Sequence, residues 1–308
     1  MNKLWIRISA AVLLGCALTL SAPAQGAGPD VIVGDLYTPS SWGANGSYVG
    51  YSFGTVSCNV GTSTLQWVAS TPAHPVISQS LYRVKNGRFE MIGQSWLKHG
   101  FTALAQSLCA PCQNPGTGSL LGINCSDPYS ASLNGSQSSL GSKSEVNAAT
   151  GVFLYPIVLN PTPIDSTVGR RLKVLASDVN PALNAGAQYI AEGQYVTADD
   201  AAAGNKHNNS SYRLVSMGAG ANFPVSVIAP TVRQLPAIMG WKALDPTVAV
   251  ATIDVPNDGR FYVGAKVTDN GNGTWRYEYA LYNMNSDRAA QSITIPLPSG
   301  VTVLGTGF

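Results

Sequence analysis

Apolar and polar residues alternate along much of the chain with a period of two, which is typical of β-strands with one buried face. The clearest case is a pair of segments, residues 261–267 and 275–281, in which every second residue is apolar. Between them lies an Asp-Asn-Gly-Asn-Gly sequence at residues 269–273, a composition that favours a tight turn. The two segments are therefore predicted to form a long antiparallel hairpin.

Shorter segments with the same character recur through the C-terminal half. A helical turn is predicted only at residues 197–204, with Thr197 as N-cap and Gly204 as the terminating residue. Many short strands separated by turns predict two packed sheets, since each sheet must cover one apolar face. The further predicted strands are residues 171–176, 188–196, 212–217, 248–255, 291–297 and 301–304.

The N-terminal half contains a sharper hairpin signal. Residues 86–87 are Asn-Gly, the preferred pair for a two-residue turn of the type that joins antiparallel strands. This turn places Val84 opposite Phe89 and Arg83 opposite Glu90. A cross-strand ion pair is therefore the favoured interpretation of Glu90, ahead of a catalytic role.

Composition supports an all-β fold. Charged residues make up 11% of the chain, against about 25% in ordinary globular proteins, and the 308 residues include 32 Gly and 19 Pro. Length alone suggests two domains or one large elaborated domain, and the prolines near residue 160 favour two domains divided near residue 167. They are a disulfide-braced β-rich domain at residues 28–167 and an antiparallel β-sandwich at residues 168–308.

The first 27 residues are predicted to be a signal peptide. Lys3 and Arg7 precede an apolar run at residues 8–20, which is too short to span a membrane, and Ala22-Pro23-Ala24 has the small residues of a cleavage site. An alternative is a lipoprotein with its lipid on Cys16. Later segments contain no predicted transmembrane span. We therefore expect a secreted, periplasmic or cell-surface protein.

The formal net charge is +2, and the charged residues are scattered along the chain without a run of Lys or Arg. Neither nucleic acid nor an anionic membrane surface is therefore an expected partner.

Four cysteines lie beyond the predicted signal peptide, namely Cys58, Cys109, Cys112 and Cys125. In an oxidising compartment an even number of cysteines predicts disulfides, and three pairings are open. A redox Cys-x-x-Cys site and a zinc site at Cys109 and Cys112 are weaker alternatives, because the expected neighbouring patterns are missing. No metal or cofactor is predicted.

Candidate catalytic residues are weak. His74 and His99, with Asp127 or Glu90, could supply a general acid, a base or metal ligands. The two histidines lack the spacing that places ligands on one face, so hydrogen-bonded loop positions are the favoured interpretation. Residues 95–98 match a Ser-x-x-Lys motif, but its companion motifs are missing.

Candidate binding residues are the aromatic side chains of Trp42, Tyr48, Tyr51 and Trp67. If exposed, they could form stacking platforms for a glycan, an envelope component or another protein, although core packing is the commoner role of such residues.

Several short motifs in the chain resemble those of a family of exported bacterial proteins that has no assigned activity. They include Ser-Trp-Leu-Lys-His-Gly-Phe at residues 95–101, Cys-Ser-Asp-Pro-Tyr at 125–129 and Val-Pro-Asn-Asp-Gly-Arg-Phe at 255–261. The resemblance runs from about Asp30 to the C-terminus. Relatives look as if they continue past Phe308 into a segment with His and Asp. If this chain is a truncated form, part of a sheet and part of a site are absent from it.

The favoured function is a secreted or cell-surface protein with a non-catalytic binding or structural role. The alternative is an extracellular hydrolase or metal-dependent enzyme centred on His74 and His99.

Overall fold

The structure is a computed structural model that describes residues 27–99, 101–136, 141–156 and 164–307, without the side chains of Lys98 and His99. Strands account for 39% of the described residues and helices for 10%, and the sheets are antiparallel. The predicted all-β class is therefore confirmed. Cys16 and residues 1–26 of the predicted signal peptide lie outside the described residues.

The strands vary in length, from two residues to 15, although short strands were predicted. The described residues also contain four α-helices: α1 (Ala131–Ser136), α2 (Ala176–Val179), α3 (Ala198–Ala203) and α4 (Ala237–Leu244). The strands are β1 (Val31–Asn45), β2 (Tyr48–Asn59), β3 (Leu65–Gln66), β4 (Val76–Lys85), β5 (Arg88–Gln94), β6 (Lys98–His99), β7 (Leu120–Leu121), β8 (Ser126–Tyr129), β9 (Leu172–Leu175), β10 (Gln188–Val196), β11 (Ser210–Met217), β12 (Val225–Val227), β13 (Ala249–Asp254), β14 (Arg260–Asp269) and β15 (Trp275–Asn283).

Ten strands form one large sheet with the order β1-β2-β9-β5-β4-β10-β11-β12, in which β6 also pairs with β4 and β8 with β2. Strands from both sides of residue 167 alternate in this order. The boundary predicted near residue 167 therefore does not coincide with a break in the sheet. Strand β1 also contacts β10, β11 and β12 without pairing with them, so the sheet curves around its apolar face.

The main core lies inside this curved sheet. Inward-facing residues of β1, β2, β9, β10 and β11 meet there, as the alternation along each strand requires. The largest fully buried side chains of this cluster are Trp67, Tyr51, Tyr195, Phe53, Leu36, Leu65, Ile77, Leu81 and Leu121.

The second sheet has the order β13-β14-β15 and packs through one face on α4. Tyr262 and Tyr282 from this sheet lie in a second cluster with Trp241 and Ile238 of α4. Gly264 is required at this contact, because a Cβ there would lie 2.6 Å from the Trp241 ring. Phe89 of β5 stacks on Trp241 with 5.7 Å between ring centroids, which joins the two sheets.

The hairpin predicted at residues 86–87 is confirmed. Asn86 and Gly87 both have positive φ, 53° and 81°, as this turn type demands. Val84 pairs with Phe89 and Arg83 with Glu90. The Arg83 and Glu90 side chains form the predicted ion pair, with 2.8 Å between Nη2 and Oε2.

Two expectations for the C-terminal region are wrong. Residues 291–297 and 301–304 form no strand. The alternating apolar residues of β15 are exposed on one face of the small sheet, whereas a second sheet was expected to cover them. Periodicity identifies which residues share a face, but it carries no information on whether another element covers that face.

Candidate functional site

The predicted disulfide framework is confirmed, and the structure selects one of the three pairings. Cys58 is bonded to Cys109, and Cys112 is bonded to Cys125. Cys109 and Cys112 therefore belong to different bridges, which removes the redox interpretation of their Cys-x-x-Cys spacing. Within the described ranges, no three His, Cys, Asp or Glu residues are grouped so that they could hold a metal ion.

His74 is buried, with a relative exposure of 1%. Its Nδ1 lies 2.8 Å from the carbonyl oxygen of Pro75, and its Nε2 lies 2.9 Å from that of Phe101. The imidazole also packs against the Trp67 ring at 4.9 Å between centroids. These contacts fix the ring to the backbone of two loops. The backbone of His99 pairs with Val76, and its side chain lies outside the described residues.

Asp127 lies on β8 and is almost completely buried. Its Oδ1 accepts a hydrogen bond of 2.9 Å from the amide of Leu104. Burial raises the pKa of Asp127 to about 6, although this hydrogen bond opposes the shift. A carboxyl group with such a pKa can exchange a proton near neutral pH, as a general acid must.

The raised pKa of Asp127 predicts a specific pH dependence of stability. The folded state binds the proton more tightly than the unfolded state, so its contribution is complete below about pH 4 and is lost as the pH rises through about 6. Between pH 4 and pH 7 the wild type should lose about 2 kcal/mol of unfolding free energy that Asp127→Asn does not lose. Urea denaturation at the two pH values measures the difference, and the same exchange at the exposed Asp269 is the control. Parallel profiles for wild type and Asp127→Asn would contradict the prediction.

Glu90 has the structural role that the sequence favoured. Its carboxylate bonds to Arg83 at 2.8 Å and to Arg88 at 2.9 Å on the β4–β5 hairpin. Arg83 also contacts Asp178 at 3.1 Å, so the pair belongs to a small charged network.

Two cavities of about 310 Å³ lie at the surface. The first is lined mainly by residues 184–189 and 214–217, and Tyr189 is its one titratable side chain. The second is lined by residues 103–105, 114–118 and Leu120, none of which has a titratable side chain. Neither cavity lining includes His74, Glu90 or Asp127.

The four predicted aromatic binding residues divide into two groups. Tyr51 and Trp67 are 0% and 2% exposed and belong to the main core, which is the commoner role of such residues. Tyr51 faces inward because it occupies an interior position of the β2 alternation, and its hydroxyl donates to the carbonyl of Phe223 at 2.7 Å. Trp42 and Tyr48 lie on the outer side of the large sheet.

Trp42 is half-buried and holds an arginine in place. The guanidinium carbon of Arg171 lies 3.7 Å from the centroid of the Trp42 ring. On α1, a Cβ at Gly135 would lie 2.2 Å from the same ring, so only glycine fits there. Arg171 Nε donates to the Gly135 carbonyl at 2.8 Å, and the indole donates to Ser52 Oγ at 2.8 Å.

Two further cation and ring pairs lie beside this one. Lys173 Nζ is 4.2 Å from the centroid of the Tyr48 ring, and Tyr48 is 37% exposed. The guanidinium of Arg170 lies 5.8 Å from the Trp96 ring centroid. Strand pairing brings them together, because Lys173 on β9 pairs with Gly50 of β2 and with Gln94 of β5. We name the six residues Trp42, Tyr48, Trp96, Arg170, Arg171 and Lys173 the cation–aromatic surface.

The cations of this surface have no carboxylate partner in the described structure, although Arg171 donates to the backbone carbonyls of Ser166 and Thr167. Among the described residues, Arg170, Arg171 and Lys173 form no ion pair with a carboxylate. Burial lowers the pKa of Arg170 and of Arg171, because removing a cation from water costs free energy. Asp165 partly opposes this shift for Arg171. Arg170 Nε is buried and has no hydrogen-bond partner in the described structure. An anion at this surface would offset that cost.

Sequence reasoning found Trp42 and Tyr48 but missed the other four residues. A signal was present, since residues 170–173 read Arg-Arg-Leu-Lys. These cations could not be recognised as part of a site from sequence alone, because the aromatic rings that they contact belong to β1, β2 and the segment after β5, which are distant in sequence.

Comparisons with known proteins supply no family for this chain. No family model, no curated protein and no solved structure matches it. The resemblance to exported bacterial proteins therefore stays a prediction, and the function must be argued from the chain's own residues.

Proposed function

We propose that this protein is a non-catalytic binding protein, secreted or held at the cell surface, that binds an acidic glycan at the cation–aromatic surface. The observation that carries the proposal is the set of three cations, each placed over an aromatic ring, without a carboxylate partner in the described structure.

The chemistry of the surface fits an acidic sugar polymer. Aromatic rings have apolar faces that stack on the C–H faces of sugars, and a tyrosine hydroxyl adds a polar contact. Arginine and lysine form charge-assisted hydrogen bonds with carboxylate, sulfate or phosphate groups. Tyr48 with Lys173 offers both features at an exposed position. Trp42 has a positioning role, because its faces are occupied by Arg171 and Gly135.

The two disulfides support a location outside the cytoplasm. Bridges of this kind persist in oxidising compartments outside the cytoplasm, where envelope and extracellular glycans occur. No helix of the described residues is long and apolar enough to cross a membrane.

Charge reversal at Lys173 tests the proposal. We expect Lys173→Glu to weaken binding to polygalacturonate at least tenfold, because it removes one cation and adds a repelling carboxylate beside Tyr48. Binding of the oxidised full-length protein is measured by affinity electrophoresis at 50 mM and 300 mM salt, with neutral dextran as the second polymer. The higher salt concentration should weaken wild-type binding.

Lys242→Glu is the matched control, since Lys242 is an exposed lysine of α4 outside the cation–aromatic surface. It makes the same change in net charge and should bind as the wild type does. Equal binding by the Lys173 and Lys242 variants, or equal binding of dextran and polygalacturonate, would refute the proposal.

A further inference from the structure

The three-stranded sheet has one face that no element of the described chain covers. We name the outward residues of β13, β14 and β15 the open face. Its exposed members include an aromatic row on β15, in which the Tyr277 and Tyr279 rings are nearly parallel at 6.4 Å between centroids. The exposed large side chains are Ile253 (48%), Val267 (44%), Trp275 (55%), Tyr277 (50%), Tyr279 (38%) and Leu281 (42%).

The register makes the open face uniformly apolar at its centre. Ala249, Ala265 and Tyr279 lie side by side across the three strands, and so do Ala251, Val263 and Leu281. Arg276 and Glu278 of β15 alternate onto the other side of the sheet, where they pair with each other. The other side also carries Tyr262 and Tyr282, which pack on α4.

The segment that follows β15 repeats the same character. Residues 289–307 are exposed throughout and contain no helix or strand. Its apolar residues alternate with polar ones or proline, and a turn with a 3.3 Å bond from the Val301 amide to the Pro298 carbonyl divides it. Its exposed large side chains are Ile293 (50%), Ile295 (41%), Leu297 (55%), Val301 (51%), Val303 (52%) and Leu304 (78%). We name residues 289–307 the C-terminal segment.

We propose that the open face and the C-terminal segment together form the interface between two copies of this chain. An apolar face of this kind in water marks an interaction site. Aliphatic residues such as Ile253, Val267 and Leu281 offer no hydrogen bonds, so the face suits an apolar protein surface better than a sugar. Two copies of this face, which is apolar except for Asp269 beside Trp275 at one end, are self-complementary, and sheets pack face to face at about 10 Å in a two-fold arrangement.

The size of the open face explains why the C-terminal segment is needed. Three strands at about 4.8 Å spacing, with nine residues in β15, give a footprint on the order of 400 Å². A stable interface needs about 800 Å² from each partner. The C-terminal segment begins just beyond β15 and carries apolar residues with the period of a strand. It can supply the remainder by covering the partner's sheet or by pairing with β13 or β15, which are both edge strands.

The oligomeric state of the oxidised full-length protein tests this proposal. We expect the wild type to sediment as a dimer at 50 µM. Leu281→Glu on the open face and Ile295→Glu in the C-terminal segment should each sediment as a monomer, because a buried charge without a partner is strongly unfavourable. Leu183→Glu is the matched control, since Leu183 is a 60% exposed leucine elsewhere, and it should remain a dimer.

Far-ultraviolet circular dichroism and the absence of free thiols at Cys58, Cys109, Cys112 and Cys125 establish that each variant is folded. A monomeric wild type overturns the proposal, as does a dimer that persists in either interface variant. A monomeric wild type that binds insoluble polysaccharide, with Leu281→Glu losing that binding, would assign the open face to a glycan instead. The Lys173→Glu experiment lies on a different surface, so the two proposals can fail independently.

Discussion

Replacing Cys58 and Cys109 with serine in one variant should lower the free energy of unfolding by about 4 kcal/mol. The bridge joins residues separated by 51 positions, and the entropy lost by the unfolded chain on closing such a loop corresponds to about that value. The bond also anchors the long loop before β8 to β2, because Cys58 lies on that strand. Urea denaturation followed by tryptophan fluorescence measures the change.

The second bridge provides the comparison for this prediction. Cys112 and Cys125 are separated by 13 positions, so their joint replacement with serine should lower the unfolding free energy by about 3 kcal/mol. Both cysteine pairs adjoin glycines that leave room for sulfur, since a Cβ at Gly34 would lie 2.4 Å from Cys58 Sγ and one at Gly122 would lie 2.7 Å from Cys125 Sγ. A smaller loss for the Cys58 and Cys109 variant than for the Cys112 and Cys125 variant would contradict the loop-length argument.

Local sequence signals predicted several elements well. The Asn86-Gly87 turn fixes its own hairpin, because both residues adopt positive φ readily and the register follows from a two-residue turn. The strand predicted at residues 188–196 coincides with β10. The helical turn at 198–203 ends at Gly204 in the left-handed region, as predicted. The Thr197 hydroxyl donates to Asp199, however, and makes no capping bond.

Long-range pairing could not be predicted in the same way. Strand β9 lies between β2 and β5, and β10 pairs with β4 across more than a hundred residues. Nothing local to residues 172–175 specifies those partners. Proline content therefore predicted a domain boundary near residue 167, although one sheet contains strands from both sides of that residue.

The candidate site shows the same limit. Trp42 and Tyr48 could be selected by residue type, and Tyr51 differs from Tyr48 only in the face of β2 that it occupies. Lys173 of β9 and the arginines of the preceding loop contact these aromatic rings because β9 pairs with β2, which places Lys173 beside Gly50. Aromatic residues are identifiable from sequence, whereas the charges that surround them depend on tertiary structure.

Glu192 belongs to no recognisable sequence motif, but its side chain makes three buried hydrogen bonds. It lies on β10 and is 5% exposed. Its carboxylate accepts hydrogen bonds from the Tyr282 hydroxyl at 2.7 Å, from the Tyr82 hydroxyl at 3.3 Å and from the Ala237 amide at 2.6 Å. One side chain thus links the large sheet, the small sheet and the first residue of α4.

Removing this carboxylate should destabilise the protein strongly. Glu192→Ala leaves two buried tyrosine hydroxyls and the Ala237 amide without their acceptor, and it removes the negative charge that favours the buried ammonium of Lys143. We expect the free energy of unfolding to fall by about 4 kcal/mol. Urea denaturation at pH 7 measures the loss.

Glu192→Gln is the control that separates the hydrogen bonds from the charge. Its amide oxygen can still accept from Ala237 or Tyr282, so its loss should be much smaller than that of the alanine variant. Burial raises the pKa of Glu192, so the wild-type carboxyl contributes most below its unfolded pKa and loses that contribution as the pH rises through the folded pKa. The glutamine variant has no such loss, and its deficit relative to the wild type should therefore shrink with rising pH. Equal losses for alanine and glutamine at every pH would show that Glu192 does not join the two sheets through hydrogen bonds.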